Sequence, residues 1–171
     1  AMGSSGASER ATVERLFASF VTWLQERPEP VFVIATANAV DHLPPELLRK
    51  GRFDEVFFVD LPTAAERTQI LSVHIEKKGR SPENFELATL AQEADFFTGA
   101  ELESAVTAGL FRAFKAGREL ATEDIRVAIE QTVPLYRTYE EPIKALRAWA
   151  KTRARRASTD LRLTELWKHK A

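Results

Sequence analysis

Residues 31–62 read VFVIATANAVDHLPPELLRKGRFDEVFFVDLP and contain two short apolar runs separated by a proline-led segment. The runs at 31–36 and 56–59 are continuous rather than alternating, which is typical of strands buried on both faces of a parallel sheet. The pair Pro44-Pro45 predicts a short helix between them, because proline suits the first helical turn. This stretch therefore predicts α/β structure.

The segments on both sides of this stretch are predicted to be helical. Apolar residues recur at helical spacing over 11–26. After Thr63 the same periodicity predicts helices near 64–77, 85–93, 99–116, 122–132, 140–156 and 160–168. Thr98 and Thr122 are predicted N-caps, and Asp124 suits the positive end of a helix dipole. The predicted fold class is an α/β remnant of two parallel strands with helices, followed by an α-helical bundle, and it is mostly α.

Two strands are too few for a stable open sheet, so the remaining strands must come from elsewhere. The chain has 171 residues, of which 44% are hydrophobic and 29% charged, as in one globular domain or part of a larger one. It contains no cysteine, which excludes disulfides and thiolate metal sites and favours a cytoplasmic location. No apolar run is long enough to span a membrane. His42, His74 and His169 are too far apart in sequence to predict a metal site.

The C-terminal segment 142–171 is strongly basic, with nine Lys or Arg residues against two acids. Leu146 and Trp149 share one helical face, which favours an amphipathic helix that docks on the bundle and exposes its charges. The alternative is a nucleic-acid contact, because clustered Lys and Arg neutralise phosphates.

Asn38 directly follows the first predicted strand. Ligands of open parallel sheets bind beyond the carboxyl ends of the strands, and an amide can donate to or accept from water and phosphate. The alternative is that Asn38 only ends the strand, because asparagine is common in turns.

Arg49 and Arg52 lie three residues apart, so on a short helix they would share a face. Two guanidinium groups there would suit one phosphate and could stabilise a phosphoryl group in transfer. The alternative is a solvated basic turn that pairs with Asp54 or Glu55.

Several segments, in order, resemble the second half of an AAA-type ATPase module of the AAA+ superfamily. They are Ala35-Thr36-Ala37-Asn38, the LPPELLRKGRFDE segment at 43–55, Asp60-Leu61-Pro62, and FTGAEL at 97–102. The last resembles the family's Ser/Thr-Gly-Ala-acid-Leu motif, which begins a lid helix. The closest resemblance is to the uncharacterised AAA ATPases of cyanobacteria and plastids, which have a similar LPPELLRKGRFDE segment and basic tail.

The resemblance implies roles for five residues. Asn38 matches sensor 1, which orients the attacking water. Arg49 and Arg52 match arginine fingers, which act in trans on ATP bound by the neighbouring subunit of a ring. Gly99 and Ala100 match small residues that approach adenine and ribose. The resemblance also implies ATP and Mg²⁺ as cofactors, a ring that is a hexamer, and remodelling of a macromolecule.

Two motifs of the family do not occur in the sequence. There is no G-x-x-x-x-G-K-[ST] phosphate-binding loop, and no apolar strand ending in Asp-Glu precedes residue 11. We therefore expect a C-terminal fragment of an ATPase that alone neither hydrolyses ATP nor binds it tightly. We also expect the fragment to self-associate or to swap residues 11–60 between copies.

The predicted division has four parts. They are a flexible start with a cloning remnant at 1–10, the C-terminal part of the AAA+ α/β subdomain at 11–62, the helical lid at 63–134 and the basic helical tail at 135–171. Two other function classes stay open. One is a non-catalytic module that docks on an AAA+ ring, and the other is a nucleic-acid-binding helical domain led by the tail.

Overall fold

The structure, a computed structural model, describes residues 5–26, 29–38, 40, 43–44, 47 and 52–158. The chain divides into two compact units. The first comprises Ala1–Phe57 with Arg153–Arg155, and the second comprises Phe58–Thr152 with Arg156–Ala171. None of the helices in the described ranges is long and apolar enough to cross a membrane.

The first unit begins with helix α1, Ser5–Glu26, which starts six residues before the predicted helix at 11–26. The chain beyond it, over 31–37, has no regular secondary structure, so the predicted strand at 31–36 is wrong. Phe32 and Ile34 there are 90% and 78% exposed. A strand needs a partner for its N–H and C=O groups, and no described segment pairs with this one. The predicted short helix after Pro44 falls largely outside the described residues.

Two short strands form a parallel pair, β1 (Phe57–Phe58) and β2 (Arg155–Arg156). The N–H of Arg155 donates to the Val56 carbonyl at 2.8 Å, and that of Ala157 donates to the Phe58 carbonyl at 3.0 Å. The predicted strand at 56–59 is thus confirmed at its centre, and its partner comes from the tail. Burial on both faces is wrong, because Phe58 is 8% exposed but Phe57 is 55% exposed.

The second unit is helical, as predicted. Its helices are α2 (Ala64–Lys77), a 3₁₀ turn (Pro82–Asn84), α3 (Leu87–Glu93), α4 (Gly99–Lys115), α5 (Thr122–Glu130), α6 (Leu135–Thr138) and α7 (Glu140–Arg153). Five predicted helices are confirmed to within three residues at each end. The short helix α6 was not predicted, and the helix predicted at 160–168 lies outside the described residues. The mostly helical class with two parallel strands is therefore confirmed.

The core of the second unit is formed by α2, α3, α4 and α5. Its fully buried larger side chains are Leu71, Ile75, Leu90, Leu102, Val106 and Ile125. Helices α4 and α5 approach closely at Gly109, where an added Cβ would lie 3.1 Å from the backbone of Asp124 and Ile125. Any larger side chain at this position would therefore require the backbone of α5 to shift by a few tenths of an ångström.

Side-chain caps set the starts of two helices. Thr63 and Thr98 each accept a hydrogen bond from a backbone N–H three residues on, and each helix has a glutamate that completes a capping box. The predicted N-cap at Thr122 is wrong, because Thr122 is already helical and Ala121 precedes it. The Asp124 carboxylate accepts from the Ala121 N–H at 3.0 Å instead, so the acid in the first turn satisfies this group.

Candidate functional site

Asn38 lies at a bend directly after the extended residues 31–37, and its side chain is exposed. The sequence placed it at the end of a strand, and the structure places it at the end of an extended segment without a ladder. Its amide is therefore accessible to a water molecule or an anion.

Arg52 lies in a turn and is half-buried, whereas Arg49 lies outside the described residues. The Nη1 of Arg52 is buried and has no hydrogen-bond partner among the residues that the structure describes. A buried guanidinium nitrogen without a partner is costly, because each lost hydrogen bond of a charged group is expensive in a desolvated place. Glu55 pairs with Arg155 at 3.5 Å, so this carboxylate is used elsewhere.

Gly99 and Ala100 are the first two residues of α4, directly after its N-cap. The Glu101 Oε2 accepts from the Thr98 N–H and from the Thr98 hydroxyl, both at 2.7 Å. A Cβ on Gly99 would meet only Ile70 Cδ1, at 3.9 Å, which is an ordinary contact. Among the residues that the structure describes, packing would therefore also admit a methyl group at position 99.

Phe96, two residues before the N-cap Thr98, belongs to a set of contacts with Tyr136 and Arg147, and none of these three was among the predicted site residues. Phe96 has a φ of 65° in a region that bulky residues rarely adopt, at a cost of about 1–2 kcal/mol. Its ring stacks on Tyr136 with centroids 4.8 Å apart, and the Arg147 guanidinium lies 5.5 Å from the centroid of the Tyr136 ring. No local sequence signal predicts contacts between residues this far apart.

Glu101 also has a role beyond its predicted motif. Its Oε1 accepts from the N–H of Leu135 at 2.6 Å, so one carboxylate joins the starts of α4 and α6. The Thr-x-x-Glu spacing of a capping box predicts the contact of Glu101 with Thr98. It does not predict the contact with Leu135.

The tail helix α7 is amphipathic, as predicted, with Ala150 buried and Leu146 and Trp149 half-buried. Several of its charges are in ion pairs. Arg147 donates to Asp60 from Nε at 2.8 Å, and Lys144 contacts Glu140 at 2.9 Å. Arg156, just beyond the helix, also contacts Asp60, at 3.5 Å. The contacts of Arg147 and Arg156 attach the tail to the segment after β1, and the predicted docking of its apolar face on the bundle stays a prediction.

Two of the predicted positions, taken separately, have features that a nucleotide could use. The Nη1 of Arg52 has no hydrogen-bond partner within the described part of the chain, and the small residues Gly99 and Ala100 begin α4. The sequence contains no phosphate-binding loop to hold a triphosphate. Asn38 and Arg52 belong to the first unit, and Gly99 and Ala100 belong to the second.

Comparison with known proteins gives a family and several relatives. Residues 1–61 match the model of the ATPase family associated with various cellular activities (AAA). The chain is 46% identical over 158 residues to an uncharacterized AAA domain-containing protein, ycf46, of Pyropia yezoensis, which covers 91% of this chain and 32% of that protein. It is 31% identical to the proteasome-activating nucleotidase of Saccharolobus solfataricus, over 85% of this chain and 37% of that protein.

Another relative is the ATP-dependent zinc metalloprotease FtsH of Acidothermus cellulolyticus, which is 38% identical over 63% of this chain and 16% of that protein. The chain spans about a third of the length of the curated ycf46 relatives that it matches. The family model and the ycf46 similarity agree with the motifs at 35–38, 43–55 and 97–102. Residues 1–61 thus match the AAA family of ATPases, and most of the chain is similar to AAA domain-containing proteins.

Proposed function

We propose that this chain is the C-terminal fragment of an AAA+ ATPase and that the complete protein couples ATP hydrolysis to remodelling of a macromolecule. The fragment carries sensor 1 at Asn38, the trans-acting arginines Arg49 and Arg52, and the lid at 63–134. The observation that supports it most is that the Nη1 of Arg52 has no hydrogen-bond partner within the described residues, because an arginine finger requires an anion from outside its own subunit.

The other predicted residues have positions that suit their proposed roles. The exposed amide of Asn38 is free to orient a water molecule. Gly99 and Ala100 form the first turn of α4, where small side chains let a nucleoside approach the backbone. The proposed division runs as in the sequence: a start at 1–10, the α/β part at 11–62, the lid at 63–134 and the tail at 135–171.

The proposed cofactors are ATP and Mg²⁺, bound by the complete protein. The phosphate-binding loop would belong to the part of the protein that precedes this fragment, so the fragment itself would bind ATP only weakly. We propose that the complete protein is a cytoplasmic ring, a hexamer, since the arginines act on a neighbouring subunit. The similarity to a proteasome-activating nucleotidase supports a macromolecular substrate.

The test is subunit complementation with the complete protein. Arg52→Ala should lower ATP turnover at least about 10³-fold, the usual contribution of an arginine finger, and leave nucleotide affinity within about twofold. Mixing these subunits with a variant whose phosphate-binding loop is inactivated should restore turnover, because the second subunit supplies Arg52 to ATP bound by the first.

The matched control is Arg80→Ala, which removes an arginine from an exposed ion pair with Glu119 and should leave turnover unchanged. Arg52→Lys should remain impaired, since lysine cannot bind a phosphate bidentately. Normal turnover of the Arg52→Ala protein, or a mixture no more active than its parts, would rule out the trans-acting role.

A second candidate function is a non-catalytic module that docks on an AAA+ ring. The observation that favours it is the apolar exposure of Phe32 and Ile34, which suits a protein partner. If this alternative holds, the fragment binds the ring and Arg52→Ala has no effect on turnover. The nucleic-acid alternative for the tail is disfavoured by the ion pairs of Lys144 and Arg147.

A further inference from the structure

A continuous set of contacts joins the tail to the start of α4. It comprises Asp60 after β1, Arg147 on α7, Tyr136 on α6 and Phe96 before α4. All four belong to the second unit. Together they connect positions that are up to 87 residues apart in the chain.

The first link is the strained backbone of Phe96. A bulky residue keeps a positive φ only where its surroundings determine it. Phe96 is two residues before the N-cap Thr98, so its φ of 65° sets the direction in which the chain enters α4. Its ring lies nearly parallel to that of Tyr136, at an interplanar angle of 11°. The stack on Tyr136 therefore restricts the position of the Phe96 ring.

The second link fixes Tyr136 from the tail. The Arg147 guanidinium lies over the Tyr136 ring, where a cation is attracted by the negative face of the aromatic system. Arg147 is held in turn by Asp60, through Nε and Nη2, both at 2.8 Å from Oδ1. The Asp60 side chain is largely buried, so the pair is weakly screened by water.

The third link runs through the backbone next to Tyr136. The Leu135 N–H donates to Glu101, the same carboxylate that caps α4 through Thr98. The start of α6 is therefore attached to the start of α4 by a charge-assisted hydrogen bond and by an aromatic stack. A shift of α6 would change both contacts at once.

We propose that α6 and α7 form a positioning element for the turn at Thr98–Ala100, with Tyr136 and Arg147 as positioning residues. On this proposal, helix α7 of the tail helps to fix the position of the turn at Thr98–Ala100. Its consequence for nucleotide binding rests on the proposed ATPase function. The coupling of Arg147 to the start of α4 does not depend on the ATPase function. It can therefore be tested in this chain without any nucleotide.

The test is residue-resolved amide hydrogen exchange of this chain. Tyr136→Leu removes the ring but keeps apolar bulk, and it should speed exchange of the Thr98 and Glu101 amides by about tenfold, as expected when a local contact is lost. Arg147→Gln should act in the same direction. Tyr136→Phe keeps the ring and should leave these amides unchanged. Amides of Leu71 and Ile75, in the core of α2, should stay protected throughout.

The matched controls are a nearby tyrosine and a nearby basic residue that lie outside the contact set. Tyr139→Leu and Lys144→Gln change an exposed tyrosine and a tail cation outside the contact set, and they should not affect Thr98 or Glu101. Equal exchange in Tyr136→Leu and Tyr136→Phe would overturn the proposal, as would faster exchange spread evenly over α2 and α4. If Tyr136→Leu does not fold, Arg147→Gln decides the question alone. Loss of Arg52-dependent turnover, by contrast, would leave these exchange results intact.

Discussion

At the residue scale, Asp124 is the clearest example of a buried charge that the fold uses. Its side chain is 0% exposed, and its two oxygens accept from Arg118 at 2.6 and 2.7 Å. Arg112 adds a contact at 3.2 Å, and the Ala121 N–H donates at 3.0 Å. Arg118 is the main cause of a lowered pKa of Asp124, which outweighs the opposing effect of burial.

Asp124→Asn should destabilise the second unit by about 1–3 kcal/mol. The cost is smaller than the about 3–5 kcal/mol for breaking a fully buried pair, because Arg112 and Arg118 are half-exposed and can turn to water. Urea unfolding measures the change. As a control, Glu119→Gln removes an acid from the exposed pair with Arg80 and should cost about 1 kcal/mol or less. Equal effects of the two variants would mean that the burial of Asp124 is unimportant.

The effect of Asp124→Asn should also depend on pH. The folded-state pKa of Asp124 is lower than the unfolded value, so the ionised carboxylate stabilises the fold above the unfolded pKa of about 3.9. This stabilisation is lost as the pH falls through the folded-state pKa. The gap between wild type and Asp124→Asn should therefore narrow below about pH 4. A constant gap across this range would show that the charge contributes nothing.

At the element scale, helix α2 shows that local sequence can predict both ends of a helix. Its predicted bounds, 64–77, match the structure because Pro62 stops the preceding segment and Thr63 with Glu66 closes a capping box. The strand at 31–36 fails for the opposite reason. The apolar run suggested a strand, but a strand forms hydrogen bonds with a second strand. The residues of the run themselves cannot show whether that second strand is present.

Gly109→Ala tests the contact between α4 and α5. In an exposed helix interior this change would stabilise by about 1 kcal/mol, because alanine has the higher helix propensity. Here the added Cβ lies 3.1 Å from the backbone of α5, so helix separation should outweigh propensity and cost about 1–3 kcal/mol. Thermal unfolding of Gly109→Ala measures this, with Ser104→Ala on the exposed face of α4 as the control. A stabilised Gly109→Ala chain would mean that the helices can separate freely.

At the scale of the whole molecule, the sequence motifs predicted the family, and the comparisons confirm it. The site is predicted only in part. Asn38 and Gly99 were predicted from motifs, because each motif is short and local. The contact of Phe96 with Tyr136 joins residues 40 positions apart and depends on how α6 packs, so no window of sequence contains it. The roles of all five predicted site residues stay predictions: Asn38, Arg49, Arg52, Gly99 and Ala100.

The exposed apolar segment should also drive association of whole chains. Phe32 and Ile34 leave large apolar side chains in water, and pairing of two copies would cover them. We expect the mean mass in sedimentation to rise with protein concentration. The double variant Phe32→Ser with Ile34→Ser should reduce that rise, whereas Phe114→Ser, also at an exposed position, should not. A monomeric wild-type chain at all concentrations would contradict this expectation.

The pairing of β1 with β2 limits the direction in which any such assembly can extend. A strand has two hydrogen-bonding edges, and the N–H groups of Arg155 and Ala157 already occupy one edge of β1. The strand on that side consists of two arginines, and charged side chains at an edge discourage further pairing. We therefore expect a further strand to add at the other edge of β1, and the two arginines of β2 to oppose growth of the sheet on their own side.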